Sequence, residues 1–345
     1  MKALILHGIR DLRLDDIPEP RPGPGQVKVA VRAVGICGSD IHYYKHGRIG
    51  EVVVERPIIV GHEAAGEVAE LGEGVEGLAV GQRVAIEPGH SCGTCEWCRT
   101  GRANLCPEVA FRSTPPVDGL MCEFAVLEAR QCVPIPDALS FEEAAMLEPL
   151  QVSVHAANLM GTVPGETVAV VGAGCIGLGC MEMARVGGAA PIIATDTLGY
   201  RLDLARRLGA HETVNVAEED PVEAVHRLTG GRGADLVFEC TNRAAGAPQA
   251  YALTAIGGRV GLVGIPEEDE VTVDAHHPRR KELRVRYVRR SRHAARQAIT
   301  LLADGRLDVA SWVTHRVGLE GAPAAFATVA EYADGVLKAV VLPNE

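Results

Sequence analysis

The residues most able to do chemistry sit in Val60-Gly61-His62-Glu63-Ala64-Ala65-Gly66, where an imidazole and a carboxylate stand side by side between glycines. The apolar run Ile58-Ile59-Val60 leads into them. A borderline-soft cation such as zinc takes imidazole nitrogen, carboxylate oxygen and thiolate sulfur together. A thiol lies upstream in Gly35-Ile36-Cys37-Gly38-Ser39-Asp40, with His42 just beyond. A single Cys after a strand is usually a small buried hydrophobe, and an adjacent His-Glu pair is usually structural. Polar neighbours on both sides of Cys37, and the motifs downstream, shift both readings toward a metal site.

The second cluster is Cys92-Gly93-Thr94-Cys95-Glu96-Trp97-Cys98, completed by Cys106, a C-x2-C-x2-C-x7-C spacing. Four thiolates on one short irregular segment close a tetrahedral zinc site. A closed site leaves no open position, so its expected role is to fold its lobe. Glu148 is a third candidate. It sits among Met146, Leu147 and Leu150, and a carboxylate in such a setting needs a partner because burying it unpaired is expensive.

The third feature is Gly172-Ala173-Gly174-Cys175-Ile176-Gly177, preceded by the apolar run Thr167-Val168-Ala169-Val170-Val171. A helical stretch follows through Arg185, then the strand Ile192-Ile193-Ala194-Thr195-Asp196. The acid falls 24 positions after Gly172. In this strand-turn-helix-strand context the pattern predicts a dinucleotide site: glycines admit the pyrophosphate, the helix N-terminus stabilises it, and Asp196 takes the ribose hydroxyls. Asp196 would repel a 2′-phosphate and so favours NAD over NADP. Arg201 is the one nearby group that accommodates such a phosphate.

The elements that must position these groups follow from pattern. Val27 to Val34 alternates valine with smaller or charged residues, the period of a strand. Strands broken by glycine turns are expected from Glu67 to Ala85. Ser140 and Glu143 form a capping box that starts a helix, and Pro149 is expected to end it with Glu148 at its last turn. After the glycine-rich turn, helical and strand patterns alternate through the strand Gly258 to Ile265, as in a doubly wound parallel sheet. Helices are expected over Ala294 to Ala303 and Phe326 to Tyr332, then a last strand, Gly335 to Val341, returning to the first lobe. A basic cluster from Arg279 to Arg292 reads either as a solvated return segment or as arginines that hold hydroxyls or an anion.

Length and composition bound the function. The chain has 345 residues, enough for two domains, and 47% hydrophobic residues. A net charge of −11 argues against nucleic-acid and membrane-surface partners. No apolar run is long enough to span a bilayer, and the N-terminal one is too short for a signal peptide. Ten cysteines outside any small secreted framework fit reduced or metal-bound thiols in the cytoplasm.

Taken together, these residues resemble the zinc-dependent medium-chain dehydrogenase/reductase superfamily over essentially the whole chain. Within it the chain is most similar to the sorbitol and xylitol dehydrogenases, through Gly35 to Gly50, Thr114-Pro115-Pro116-Val117-Asp118-Gly119 and Glu148-Pro149-Leu150. The resemblance implies a GroES-like β-rich catalytic domain over 1–155 and 290–345, and a Rossmann NAD-binding domain over 156–289. It implies that Cys37, His62 and Glu63 hold a catalytic zinc, with Glu148 at the place where a Glu of the polyol group contacts that zinc through water. Asp40 would orient the ligand His. Ser39 and His42 would relay the alcohol proton, and Cys92, Cys95, Cys98 and Cys106 would hold the structural zinc. Gly172, Gly174, Cys175, Ile176, Gly177, Asp196, Arg201 and Val263 would meet the dinucleotide. Tyr43, Phe111, Thr114, Arg286 and Tyr287 would line a polyol pocket. Oxidation of a polyol to a ketose with NAD is the implied reaction; a polyol phosphate or threonine is the rival substrate, and a non-catalytic NAD-binding scaffold the rival class. A tetramer or dimer is the implied assembly.

Overall fold

The computed structural model describes residues 1–344 and divides the chain into two units. The first comprises Met1–Glu148 and the segment from Val309 onward, and the second Pro149–Asp308.

The first unit is built on the strand Gln26–Gly35, whose valine alternation buries Val27, Val29 and Val31 on one face. It pairs antiparallel with Glu63–Leu71, Phe124–Glu128 and Lys338–Leu342 in a seven-stranded sheet. Register matters most at its end. Gly35 faces Glu63 on one side and Val340 on the other, so the chain leaves the sheet beside Glu63 and enters the helix Gly38–His46 at Cys37. A smaller sheet joins Lys2–Gly8, Asp11–Asp16 and Ile58–Ile59, the last leading directly to His62.

The second unit holds six parallel strands. In chain order they are Val168–Val171, Ile192–Asp196, Glu212–Asn215, Ala234–Glu239, Thr254–Leu262 and Arg284–Tyr287; in space they run 3-2-1-4-5-6. Val168–Val171 is buried throughout, as a strand covered on both faces by helices requires. The order reverses between Val168–Val171 and Ala234–Glu239, the place where such sheets bind dinucleotides.

Three expectations need correction. The return to the first unit comes at Val309, not 290, because the helix Ala295–Ala303 belongs to the Rossmann unit. It is tied there by Asn158 Nδ2 donating to Gln297 Oε1, and the chain just after it by the Asp308 amide donating to Glu182 Oε1. The crossing out of the first unit comes at Glu148 rather than near 155. Pro149 does not end a helix. The Ser140–Glu143 box opens Phe141–Ala145 as expected, but a second helix, Leu147–Met160, begins at once and holds Pro149 in its first turn, where no intrahelical N–H is needed. Among the described residues no helix is long and apolar enough to cross a membrane.

Candidate metal centre and dinucleotide site

Cys37, His62 and Glu63 arrive from three routes: the exit of Gln26–Gly35, the turn after Ile58–Ile59, and the first position of Glu63–Leu71. One ligand atom from each lies within 4.8 Å of the others. His62 and Glu63 are buried and Cys37 is half-buried. A thiolate, an imidazole and a carboxylate in that space are the donors zinc takes, and three protein ligands leave a position open.

Asp40 organises the group. Its Oδ2 accepts from the Cys37 amide at 3.1 Å, closing a capping box on Gly38–His46, and its Oδ1 accepts from Ser113 Oγ at 2.7 Å and the Gly61 amide at 3.1 Å. That Oδ1 lies 3.5 Å from His62 Nδ1, which leaves Nε2 for a metal. Burial alone would raise the Asp40 carboxyl, but the His62 charge and the hydrogen bonds from His62, Ser113 and Cys37 bring it below its usual range. Burial opposes the His62 charge, yet Asp40 and then Cys37 raise the imidazole well above its ordinary value. The neutral ring is the form in which His62 would hold a metal through its free nitrogen.

Lys338 was not anticipated. Its ammonium donates to Glu63 Oε1 at 2.8 Å, to Oε2 at 2.7 Å and to the Ile36 carbonyl at 3.0 Å, all buried. The available signal was a lysine opening the otherwise apolar Lys338-Ala339-Val340-Val341. Gly35 is required beside this pair, since a Cβ there would collide with the Glu63 carboxylate.

Glu148 is half-buried near the group but lies outside the set that shares one ion-sized space, so a direct fourth ligand is not what the geometry assembles. Burial pushes its carboxyl up to about 7; His62 opposes this, while Glu63 and Glu87 add to it. A second charged carboxylate beside Glu63 is disfavoured by that same repulsion. Ser39 and His42 lie three residues apart on Gly38–His46 and so share a helix face. Phe111 stacks tilted against His62 with centroids 5.4 Å apart. Tyr43 is packed into the core of the first unit, and Thr114 is half-buried. Arg286 and Tyr287 lie exposed on the edge strand Arg284–Tyr287, Tyr287 at 80%.

The cysteine quartet fits zinc closely. Sulfur–sulfur distances are 3.9 Å for Cys92–Cys98, 3.5 Å for Cys95–Cys98, 3.9 Å for Cys95–Cys106 and 3.6 Å for Cys106–Cys92. A tetrahedron of about 2.3 Å zinc–sulfur bonds has edges of about 3.8 Å. None of the ten cysteines is in a disulfide. Within the quartet the Thr94 and Cys95 amides draw the Cys92 thiol down to about 6, while Cys95, against the Cys98 amide, is pushed up to about 11 by burial and the neighbouring thiols.

In the second unit Gly174 caps the helix Cys175–Val186 with no side chain to satisfy its first N–H groups, which is an anion site. A Cβ on Gly177 would strike the Gly172 carbonyl, so the tight turn needs glycine there. Asp196 ends its strand buried; its Oδ2 accepts from the Ala173 amide at 2.8 Å and its Oδ1 from the Leu198 amide at 3.0 Å. Arg201 Nη1 lies 3.7 Å from Asp196 Oδ2. Cys175 and Ile176 open the helix, and Val263 follows Thr254–Leu262, its amide donating to the Glu239 carbonyl at 2.8 Å. Remaining carboxylate lone pairs on Asp196 suit two ribose hydroxyls.

A GroES-like sheet carrying a Cys/His/Glu donor set and a four-cysteine donor set, joined in one chain to a 3-2-1-4-5-6 parallel sheet, defines a zinc-binding dehydrogenase. Known proteins agree. Residues 23–137 match the alcohol dehydrogenase GroES-like domain and residues 175–304 the zinc-binding dehydrogenase domain. The chain is 39% identical to the sorbitol dehydrogenase of Bacillus subtilis (strain 168), covering 100% of this chain and 98% of that protein. It is 42% identical to the Gallus gallus sorbitol dehydrogenase, over 94% and 92% of the two chains. A solved Escherichia coli oxidoreductase/dehydrogenase of unknown specificity superposes with a TM-score of 0.94 at 32% identity, covering 100% and 99%. The chain belongs to the zinc-dependent medium-chain dehydrogenase family, in its sorbitol dehydrogenase group. It is an enzyme that uses zinc and NAD(H).

Proposed function

We propose that the protein oxidises a secondary alcohol of a polyol to the ketose with NAD+, reversibly. The observation that carries this reading is the convergence of Cys37, His62 and Glu63 within 4.8 Å, with Asp40 and Lys338 holding the His and Glu in place. Full-length similarity to sorbitol dehydrogenases supports the polyol class.

Zinc, when bound, supplies the Lewis acidity that makes an alcohol ionise near neutral pH, and the nicotinamide accepts the hydride. The chain does the rest. Asp40 fixes the His62 ring and tautomer. Lys338 keeps the buried Glu63 charge compensated. Ser39 and His42, on one helix face, carry the alcohol proton outward. Asp196 takes the adenosine ribose hydroxyls and selects NAD. Cys92, Cys95, Cys98 and Cys106 brace their lobe through a second zinc.

Ten cysteines with no disulfide among them suit a reducing cytoplasm, and a homotetramer or dimer is the proposed assembly. A rate panel of sorbitol, xylitol, threonine and a pentitol phosphate, each with NAD+ and NADP+, tests the assignment. The expected result is turnover of sorbitol or xylitol with NAD+. Preference for threonine or the phosphate sinks the substrate class, and full activity in Cys37→Ser sinks the mechanism.

A further inference from the structure

An open surface depression of about 540 Å³ lies on the Rossmann unit beside the C-terminal end of Cys175–Val186 and the helix Ala295–Ala303, its polar lining residues His293, Arg296, Gln297, Thr300 and Arg306 all exposed. Its lining is basic in a chain of net charge −11: two guanidinium groups, Arg296 and Arg306, with the His293 imidazole, and no acid. Neither guanidinium pairs with a carboxylate among the described residues. Gln297 accepts from Asn158 Nδ2 at 2.8 Å through its Oε1, which leaves its N–H groups as donors. Val186 and Leu301 supply an apolar wall.

The lining is held in place from below. Arg185 Nη2 donates to the Arg306 carbonyl at 2.6 Å, and the buried Glu182 takes the Asp308 amide at 3.0 Å. The Arg306 backbone is thereby fixed to the helix that forms one side of the depression. At its other end that helix starts the dinucleotide turn, eleven residues from Val186 to Cys175. At 1.5 Å rise per residue the two ends are about 16 Å apart, so this lining and the glycine-rich turn are separate features of one unit.

Two guanidinium forks, an imidazole and amide donors with no acceptor charge among them match a phosphate dianion, which planar guanidiniums bind bidentately. The apolar wall and the volume leave room for a short carbon skeleton. We propose that this depression binds a small phosphate monoester, at a site distinct from that of the dinucleotide.

Calorimetric titration of the full-length, zinc-loaded protein tests this, with NAD+ saturating so that the dinucleotide turn is filled. The probes are glycerol 3-phosphate, inorganic phosphate and glycerol, at ionic strength held constant with sodium chloride. The expected result is saturable binding of glycerol 3-phosphate at one site per chain, weaker binding of inorganic phosphate and none of glycerol. Arg296→Ala/Arg306→Ala should weaken the ester at least tenfold while NAD+ affinity is unchanged. Gln297→Glu, which adds a like charge without removing an arginine, should weaken it too. Equal affinity for ester and inorganic phosphate overturns the monoester assignment. Absence of saturable heat, or equal binding by a folded double variant, overturns the site.

Discussion

Lys338 and Glu63, 275 residues apart in the chain, form a buried ion pair at 2.7 Å beside the candidate zinc ligands. Their side chains are 6% and 1% exposed. A pair this dry is held by geometry, since each ion has lost its water and must be repaid by its partner.

Lys338→Met is therefore expected to leave Glu63 uncompensated and to destabilise the first unit by about 3 kcal/mol or more. Denaturant unfolding followed at the first unit would read this. Zinc content should fall with it, since the carboxylate loses the group that holds it. Unchanged unfolding and unchanged zinc would show that the pair is dispensable.

The quartet makes a stoichiometric prediction. The intact protein should bind about two zinc ions per chain by ligand count. Cys106→Ser, which removes the sulfur 3.6 Å from Cys92, should lower this to about one and loosen the lobe over 92–106. Elemental analysis of both proteins reads the difference directly.

A dependence on pH follows from Glu182, which burial pushes up to about 7 despite the Asp308 amide and Arg185. A carboxyl raised in the folded state binds more protons there than in the unfolded chain. Its neutral form thus favours folding at low pH, and that contribution is lost as pH rises from the usual carboxylate range through about 7. The loss amounts to about 3 kcal/mol at most. Glu182→Gln keeps the oxygen that takes the Asp308 amide and should flatten this part of the stability–pH curve. A variant whose curve parallels the parent's would remove Glu182 as the cause.

Asp196→Ala should raise KM for NAD+ about tenfold through loss of ribose hydrogen bonds. It should also shift preference toward NADP+, since Arg201 Nη1, now 3.7 Å from Asp196, would be released to meet a 2′-phosphate. The ratio of kcat/KM for the two cofactors measures this, and a ratio unmoved by the substitution would take cofactor selection away from Asp196.

Local patterns were the legible part of this chain. The valine alternation before Cys37, the Ser140–Glu143 capping box and the strand–glycine turn–helix run after Thr167 each declare themselves within a few residues, because backbone period and capping act over one or two turns. Pro149 misled: its effect depends on whether it stands early or late in a helix, and the restart at Leu147 makes it early. The return to the first unit was displaced from 290 to 309 because the Asn158–Gln297 and Glu182–Asp308 contacts that anchor the intervening helix are long-range. Arg286 and Tyr287 came from the family resemblance rather than from local pattern, and both lie exposed on the strand Arg284–Tyr287.

By itself the sequence determined the kinds of donor present, the closed spacing of Cys92, Cys95, Cys98 and Cys106, and the turn that receives a dinucleotide. Those are properties of neighbouring residues, carried by short stretches of chain. Only the tertiary structure decided that Glu63 rather than Glu148 shares space with Cys37 and His62, and that a lysine from the last strand neutralises it. Those outcomes depend on sheet register, which sets Gly35 opposite both Glu63 and Val340. Register comes from packing whole strands against a common core, and no stretch of residues contains it.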